Sequence, residues 1–448
     1  MKYIPATAAE RERMLRSVGA RRVDDLFADI PSEVRLRRPL DLPPAMADPD
    51  LLAYMRTIAA HNVDCDRLAC FLGAGAYDHF VPSTVPHLAL KPEFLTAYTP
   101  YQAELMQGEL QAIYEYQTMM CELLAMDIAN ASMYDGASAT GEAAAMAADI
   151  TKRREVLIST ALHPEYRQVL RTYTSYLPIR VRELEAAEGG VTSPSAVREA
   201  VSGETAAVIV QSPNFFGCVE DGAALAAAAH EQGALLVVAI AEPISLGLLK
   251  PPGEYGADIV TGEGQPLGNA LNYGGPYLGI MATREAFVRR MPGRLVGRTV
   301  DTAGRPGYVL TLQTREQHIR RAKATSNICT NEALNALIAA VYLATLGRRG
   351  IRDVAELNAR KAHYTRERIA QVPGYSLPFQ APVFNEFVVR CPVPPAEVNK
   401  RLLEHGILGG LPLGRFYPQL SDCWLLCVTE RRSREEIDQL IGLLATVQ

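Results

Sequence analysis

The chain has 448 residues, 48% of them hydrophobic and 21% charged, with a formal net charge of −5. Such values exclude a disordered chain, a collagen-like repeat and a disulfide-stapled miniprotein, and they offer no excess of cations to displace the counterions of nucleic acid. A length of this order calls for one large domain and one or two smaller ones.

The N-terminus, MKYIPATAAERERMLRSVG, is charged throughout where a signal peptide needs an apolar run, and no later stretch is long and apolar enough to span a bilayer. The eight cysteines lack the paired CxxC spacing of a zinc or redox site. They read as reduced thiols, and the compartment expected from them is the cytoplasm.

Residues 8–40 read as short helices broken by prolines, with Thr7 as an N-cap and Ile30-Pro31 as a stop. A helix is expected at Asp50 to Asn62, followed by the run FLGAGAYDHFVPSTVPH, whose glycines and prolines suit a loop close to a ligand or partner. Residues 1–100 are thus expected to form a helical arm and loop segment.

Helical spacing runs from Tyr101 to Asp127. Candidate strands then alternate with helices: EVLIST, IRVREL, AAVIVQS, ALLVVAI, DIVTG and YLGIMA, with helices at Pro164 to Tyr176, Pro194 to Val201 and Ala223 to Gln232 between them. That alternation predicts a large α/β domain over residues 101–330, its mainly parallel sheet covered on both faces. In residues 331–448, helices at Asn331 to Leu346 and Val354 to Val372 lead into a small α+β domain built from FNEFVVRC, PAEVNKRLLEHG, CWLLCVTE and SREEIDQLIGLLATV.

This order is compatible with the fold-type I pyridoxal-phosphate (PLP) enzymes, although a fold does not assign a function. A cofactor site on that fold needs an anion cradle at a helix N-terminus, an acid facing the pyridine nitrogen and a lysine for the imine. Tyr134 to Gly141, just ahead of EAAAMAADIT, is the candidate cradle, with a plain N-cap as the alternative. Glu242, after ALLVVAIA, is the candidate acid, with a turn carboxylate before Pro243 as the alternative.

The lysine is missing. The chain has seven lysines and none lies between Pro251 and Ala322; Gln265 and Pro266 hold the loop GEGQPLGN, where the cofactor amine belongs, and neither forms an imine. A helix N-terminus alone stabilises an anion by about 0.3–2 kcal/mol, which is weak retention. Lys250 and Lys323 are the amines left for a stand-alone PLP enzyme. A nicotinamide site is excluded, because Gly73-Ala74-Gly75 is followed by Asp78 where the dinucleotide fingerprint needs glycine, and no strand precedes it.

The runs FLGAGAYDHFVPS, LTAYTPYQAELMQGELQAIYEYQTMMCELLAMDIANASMYDGASATGEA, KPPGEYGADIVTGEGQPLGN, GGPYLG and KATSNICTNEAL resemble the glycine dehydrogenase (decarboxylating) family, the P-protein of the glycine cleavage system. The resemblance is to its first, or alpha, subunit and covers essentially the whole chain. It implies a fold-type I PLP transferase-like subunit with no PLP bound covalently. A homologous beta subunit would carry the cofactor in an α2β2 assembly, with glycine as substrate and lipoylated H-protein as acceptor.

The resemblance further implies roles for particular residues. Tyr98, Thr99, Tyr101, Gln102, Gln107 and Gly108 would line a substrate or lipoyl channel, with a helix-capping turn as the alternative. Thr325, Ser326 and Asn327 would reach the partner's PLP phosphate, unless they cap the next helix. Asp135, Gly136, Ser138, His163, Glu242 and Gln265 would form a degenerate pocket of the chain's own, where His163 holds the place of an aromatic stacked on the ring, or is simply structural. Two departures stand out: Met106-Gln107-Gly108-Glu109 replaces the family's Ser-Gln-Gly-Thr, removing two hydroxyls, and Glu242 replaces Asp. The second functional reading is a catalytically silent, structural or regulatory partner of the PLP-bearing subunit.

Overall fold

The structure is a computed structural model that describes residues 5–95, 99–187, 189–324, 326–328 and 331–447. The chain divides into two units, residues 1–63 and 64–448.

The first unit carries helices α1 (Ala8–Ser17) and α2 (Asp48–Ala59). Thr7 caps α1 as expected, in a capping box with Glu10. None of the described residues of this unit is buried, and Phe27, Leu40, Leu42, Leu52 and Tyr54 are exposed.

The second unit opens with β1 (Ala69–Cys70), followed by α3 (Thr84–Ala89), α4 (Gln107–Leu124), β2 (Ile128–Ala129) and α5 (Gly136–Thr151). The βα alternation then runs through β3 (Glu155–Ser159), α6 (Pro164–Thr174), β4 (Arg180–Leu184), α7 (Pro194–Ala200), β5 (Thr205–Gln211), α8 (Gly222–His230), β6 (Leu235–Ile240), β7 (Ile259–Glu263) and β8 (Gly279–Thr283). These strands form one seven-stranded sheet in the order β2-β8-β7-β6-β5-β3-β4, parallel except where β8 pairs with β7 and β2. All six strands expected from sequence are in it. Side chains alternate across its thickness: Val208, Val210, Leu236 and Val238 pack into the core on one face, and Ala207, Ile209, Val237 and Ala239 into the other. Burial on both faces is why these strands read as unbroken apolar runs.

A hairpin of β9 (Val296–Val300) and β10 (Pro306–Leu310) and the short helix α9 (Gln317–Arg320) follow. The two helices expected between 331 and 372 run over Ala333–Ile369, together α10, and are separated by a kink at Gly347, whose φ of +59° only glycine adopts readily. The last part holds β11 (Glu386–Arg390), α11 (Pro395–Leu403), β12 (Ile407–Leu408), β13 (Leu411–Pro412), β14 (Cys423–Cys427) and α12 (Arg434–Leu444). Its sheet has the order β11-β14-β13, and β1 pairs with β12, tying residues 69–70 to this end of the chain. The described cysteines are free thiols, and among the described residues no helix is long and apolar enough to cross a membrane.

Candidate functional site

Parallel α/β sheets present their sites beyond the C-terminal ends of the strands. Here β6 and β7 are in register at Ile240 and Gly262, which sets Glu242 and Gln265 just past two adjacent strand ends. Both are 2% exposed.

Gln265 is fully engaged. Its Oε1 accepts from the Tyr77 amide at 2.8 Å, and its Nε2 donates to the carbonyls of Tyr77 at 3.1 Å and Asn269 at 2.9 Å. Donors and acceptors of the amide group are thus matched to peptide groups, an arrangement a lysine ammonium, which has no acceptor, could not reproduce.

Glu242 meets a cation already within the protein. Its Oε2 lies 2.7 Å from His79 Nε2 and 2.9 Å from Asn385 Nδ2, while Oε1 accepts from the Ile244 amide. The other imidazole nitrogen, Nδ1, lies 2.7 Å from Glu430 Oε2. Both ring nitrogens therefore face carboxylates, an arrangement that favours the imidazolium, the form that donates from both. Burial opposes the charge of His79, but Glu242 and Glu430 outweigh it and lift the group to about 10.

The anion cradle differs from expectation in its limits. Helix α5 begins at Gly136, so Gly136 to Gly141 are its first turns and not a loop ahead of it; the helix period is masked at sequence level by the small residues GASATG. Asp135 is the N-cap, accepting from the Ser138 amide at 2.6 Å. The Gly136 amide donates to Glu263 Oε2 at 3.1 Å, and Glu263 Oε1 accepts from the amides of Gln265 and Leu278. Burial pushes Glu263 up to about 8, and those backbone N–H groups pull the other way. Two first-turn donors that could hold a phosphate are thereby bound to the chain's own carboxyl groups.

His163 caps α6, its Nδ1 accepting from the Glu165 amide, and its Nε2 donates to the Ala74 carbonyl at 2.9 Å. Its ring packs edge-on against Phe215 with centroids 4.8 Å apart, and burial lowers its affinity for a second proton. A neutral, satisfied histidine fills the place expected of a ring-stacking aromatic.

The other expected site residues fall elsewhere. Tyr98 and Thr325 lie outside the described residues. Thr99 Oγ1 accepts from the Tyr101 amide at 3.4 Å, the Tyr101 ring lies under the Arg294 guanidinium, and the Tyr101 hydroxyl reaches Asn331. Gln102 is half-buried, and its carbonyl accepts from the Leu105 and Met106 amides in the turn before α4. Gln107 grips the hairpin, accepting from the Tyr308 amide and donating to the Tyr308 carbonyl, each at 2.9 Å. Gly108 has open space where a side chain would point. Ser326 is half-buried, its hydroxyl accepting from the Ile328 amide and bonding the carboxyl of Glu142 on α5, and Asn327 is exposed. Lys250 and Lys323 are both exposed.

Sequence reasoning missed His79, Glu263, Glu386 and Glu430. Glu386 Oε1 accepts from the Ala74 amide at 2.6 Å and its Oε2 from the Tyr77 hydroxyl at 2.8 Å. The one signal was the glycine-rich run around Tyr77, whose partners lie more than a hundred residues away. Taken together, these residues do not fit PLP: the imine position holds an amide, the acid is paired with an internal cation, and the cradle is capped from within.

Comparisons with known proteins agree with the geometry at the level of fold and family. A sphingosine-1-phosphate lyase of Burkholderia pseudomallei shares the fold at 16% identity, with a TM-score of 0.66 over 92% of each chain. The architecture is that of fold-type I PLP enzymes. A crystal structure of glycine decarboxylase (P-protein) of the glycine cleavage system, in inhibitor-bound form, is 46% identical with a TM-score of 0.90, all of both chains being covered. A probable glycine dehydrogenase (decarboxylating) subunit 1 of Desulfitobacterium hafniense is 53% identical over 448 residues, and that of Desulforamulus reducens 54% over 447, each covering 100% of both chains. The family model described as glycine cleavage system P-protein matches residues 1–444. By length, identity and shared fold, the chain belongs to the glycine cleavage system P-protein family.

Proposed function

We propose that this chain is the alpha subunit of a two-subunit glycine dehydrogenase (decarboxylating) and that it carries no PLP itself. The beta subunit holds the cofactor; together they decarboxylate glycine and pass the aminomethyl group to the lipoyl arm of H-protein, as an α2β2 assembly in the cytoplasm. The observation that carries this reading is Gln265, bonded to Tyr77 and Asn269 beyond β7, where a working site would need an amine.

A second observation supports the need for a partner. Residues 5–63 expose Leu51, Leu52, Met55 and Ile58 along α2, and no described residue of this unit is buried. Full-length relatives named subunit 1 imply a second subunit.

The test is co-expression with the beta subunit, followed by glycine–bicarbonate exchange in the presence of H-protein, with each subunit also assayed alone. Exchange in the mixture and none with either subunit alone is the expected result; exchange by this chain alone overturns the proposal. The structural-partner reading is favoured by Gln107 and Ser326 bonding within their own chain. It predicts that Tyr101→Phe leaves the turnover of the assembled complex unchanged.

A further inference from the structure

The segment 72–80 bonds to three residues of the degenerate pocket, His163, Glu242 and Gln265, and to Glu386 and Glu430 beside them. Ala74 presents its amide to Glu386 and its carbonyl to His163; Tyr77 presents its amide and carbonyl to Gln265 and its hydroxyl to Glu386; His79 bridges Glu242 and Glu430; and the Phe80 amide donates to Glu430 at 2.6 Å. His163, Glu242 and Gln265, the residues expected beside a cofactor's ring face, nitrogen and imine carbon, are each bonded to this one stretch of chain.

Its backbone is shaped for that approach. Ala74 and Gly75 are left-handed, with φ of +63° and +100°. A Cβ on Gly75 would lie 2.9 Å from His163 Nε2, and one on Gly73 would lie 2.5 Å from Glu386 Oε1 and 2.7 Å from Cys427 Cβ. The Gly-Ala-Gly spacing lets bare backbone lie against the pocket wall. Beyond it, Asp78 is held by Arg431 and Arg432, and its carbonyl accepts from the Thr429 hydroxyl at 2.7 Å, so the far end of the segment is anchored as well.

We infer that residues 72–80 are a built-in occupant of the cofactor volume, with the His79 ring in the role of the pyridinium and the Glu263 carboxyl in that of the phosphate. The inference deepens the proposed function and rests on its reading of the pocket. Loss of the lysine is then only one of three barriers to PLP. Withdrawing the segment would leave Glu386 buried without the Ala74 and Tyr77 donors and would take the His79 ring from Glu242 and Glu430, so the pocket stays shut to free cofactor.

The test uses the full chain, unaltered and as Gln265→Lys, each incubated with PLP, reduced with borohydride and mapped by peptide mass spectrometry. Amide hydrogen exchange of residues 72–80 is followed with and without PLP. No adduct at position 265 of the variant, with slow exchange that PLP leaves unchanged, is the expected result. Stoichiometric adduct at position 265, or free exchange at the Tyr77 amide, overturns the inference. If Gln265→Lys fails to fold, exchange in the unaltered chain decides alone. An adduct on a native lysine of the unaltered chain would instead overturn the proposed function, so the two failures are distinguishable.

Discussion

His79 and Glu242, 163 residues apart in sequence, meet as a buried ion pair with 2.7 Å between Nε2 and Oε2. The ring is held from its other side by Glu430, so removing it leaves two carboxylates buried near each other. His79→Leu is therefore expected to destabilise the fold by about 3–5 kcal/mol near neutral pH, the usual consequence of breaking a buried pair from one side. Folding raises the group from 6.5 to about 10. Its contribution is fully present below about 6.5 and is lost as the pH rises through about 10. Denaturant midpoints of the unaltered chain and the variant should converge across that window, and a gap that widens above pH 9 would contradict the assignment.

Gly75 and Gly274 share a φ of +100°, but only Gly75 has a neighbour where a Cβ would go, the His163 ring; Gly274 faces open space. Gly274→Ala should cost about 1 kcal/mol, from backbone strain alone. Gly75→Ala adds the clash and should cost about 2–3 kcal/mol in thermal or urea unfolding. Equal losses for the two variants would mean that segment 72–80 yields easily.

Glu109 is buried near the start of α4 with no hydrogen-bond partner for Oε1 among the described residues. Burial pushes its carboxyl up from 4.5 to about 7. The fold disfavours the ionised form, so stability falls as the pH rises from about 4.5 to about 7. Glu109→Gln removes that penalty. The variant should match the unaltered chain at pH 4.5 and exceed it by about 1–2 kcal/mol at pH 8, read as a difference in Tm.

Residues 1–63 are predicted to contribute to assembly and not to the fold of the remainder. A chain beginning at residue 64 should keep the circular dichroism and Tm of the second unit. It should bind the beta subunit at least about tenfold more weakly, a loss of about 1.4 kcal/mol or more, measured by titration of one subunit into the other. Unchanged affinity would assign the exposed apolar side chains of α2 to some other contact.

Much was legible from order and period alone. The apolar runs from EVLIST to YLGIMA predicted the sheet because a strand buried on both faces must be apolar at every position, and Thr7 marked its helix because a cap acts on the amide three residues on. The missing amine was equally plain, since the absence of a residue type over an interval needs no structure. Local pattern failed where tertiary context overrode it. Small residues hid the start of α5.

The sequence by itself determined the sheet, the family and the lack of a lysine at the end of β7, because each depends on neighbours in the chain or on a residue being present or absent. Only the tertiary structure decided what fills the space that the lysine left. Segment 72–80 reaches His163, Glu242, Gln265, Glu386 and Glu430 across separations of up to 351 residues. Such pairings come from the packing of distant elements, and no period or spacing along the chain encodes them.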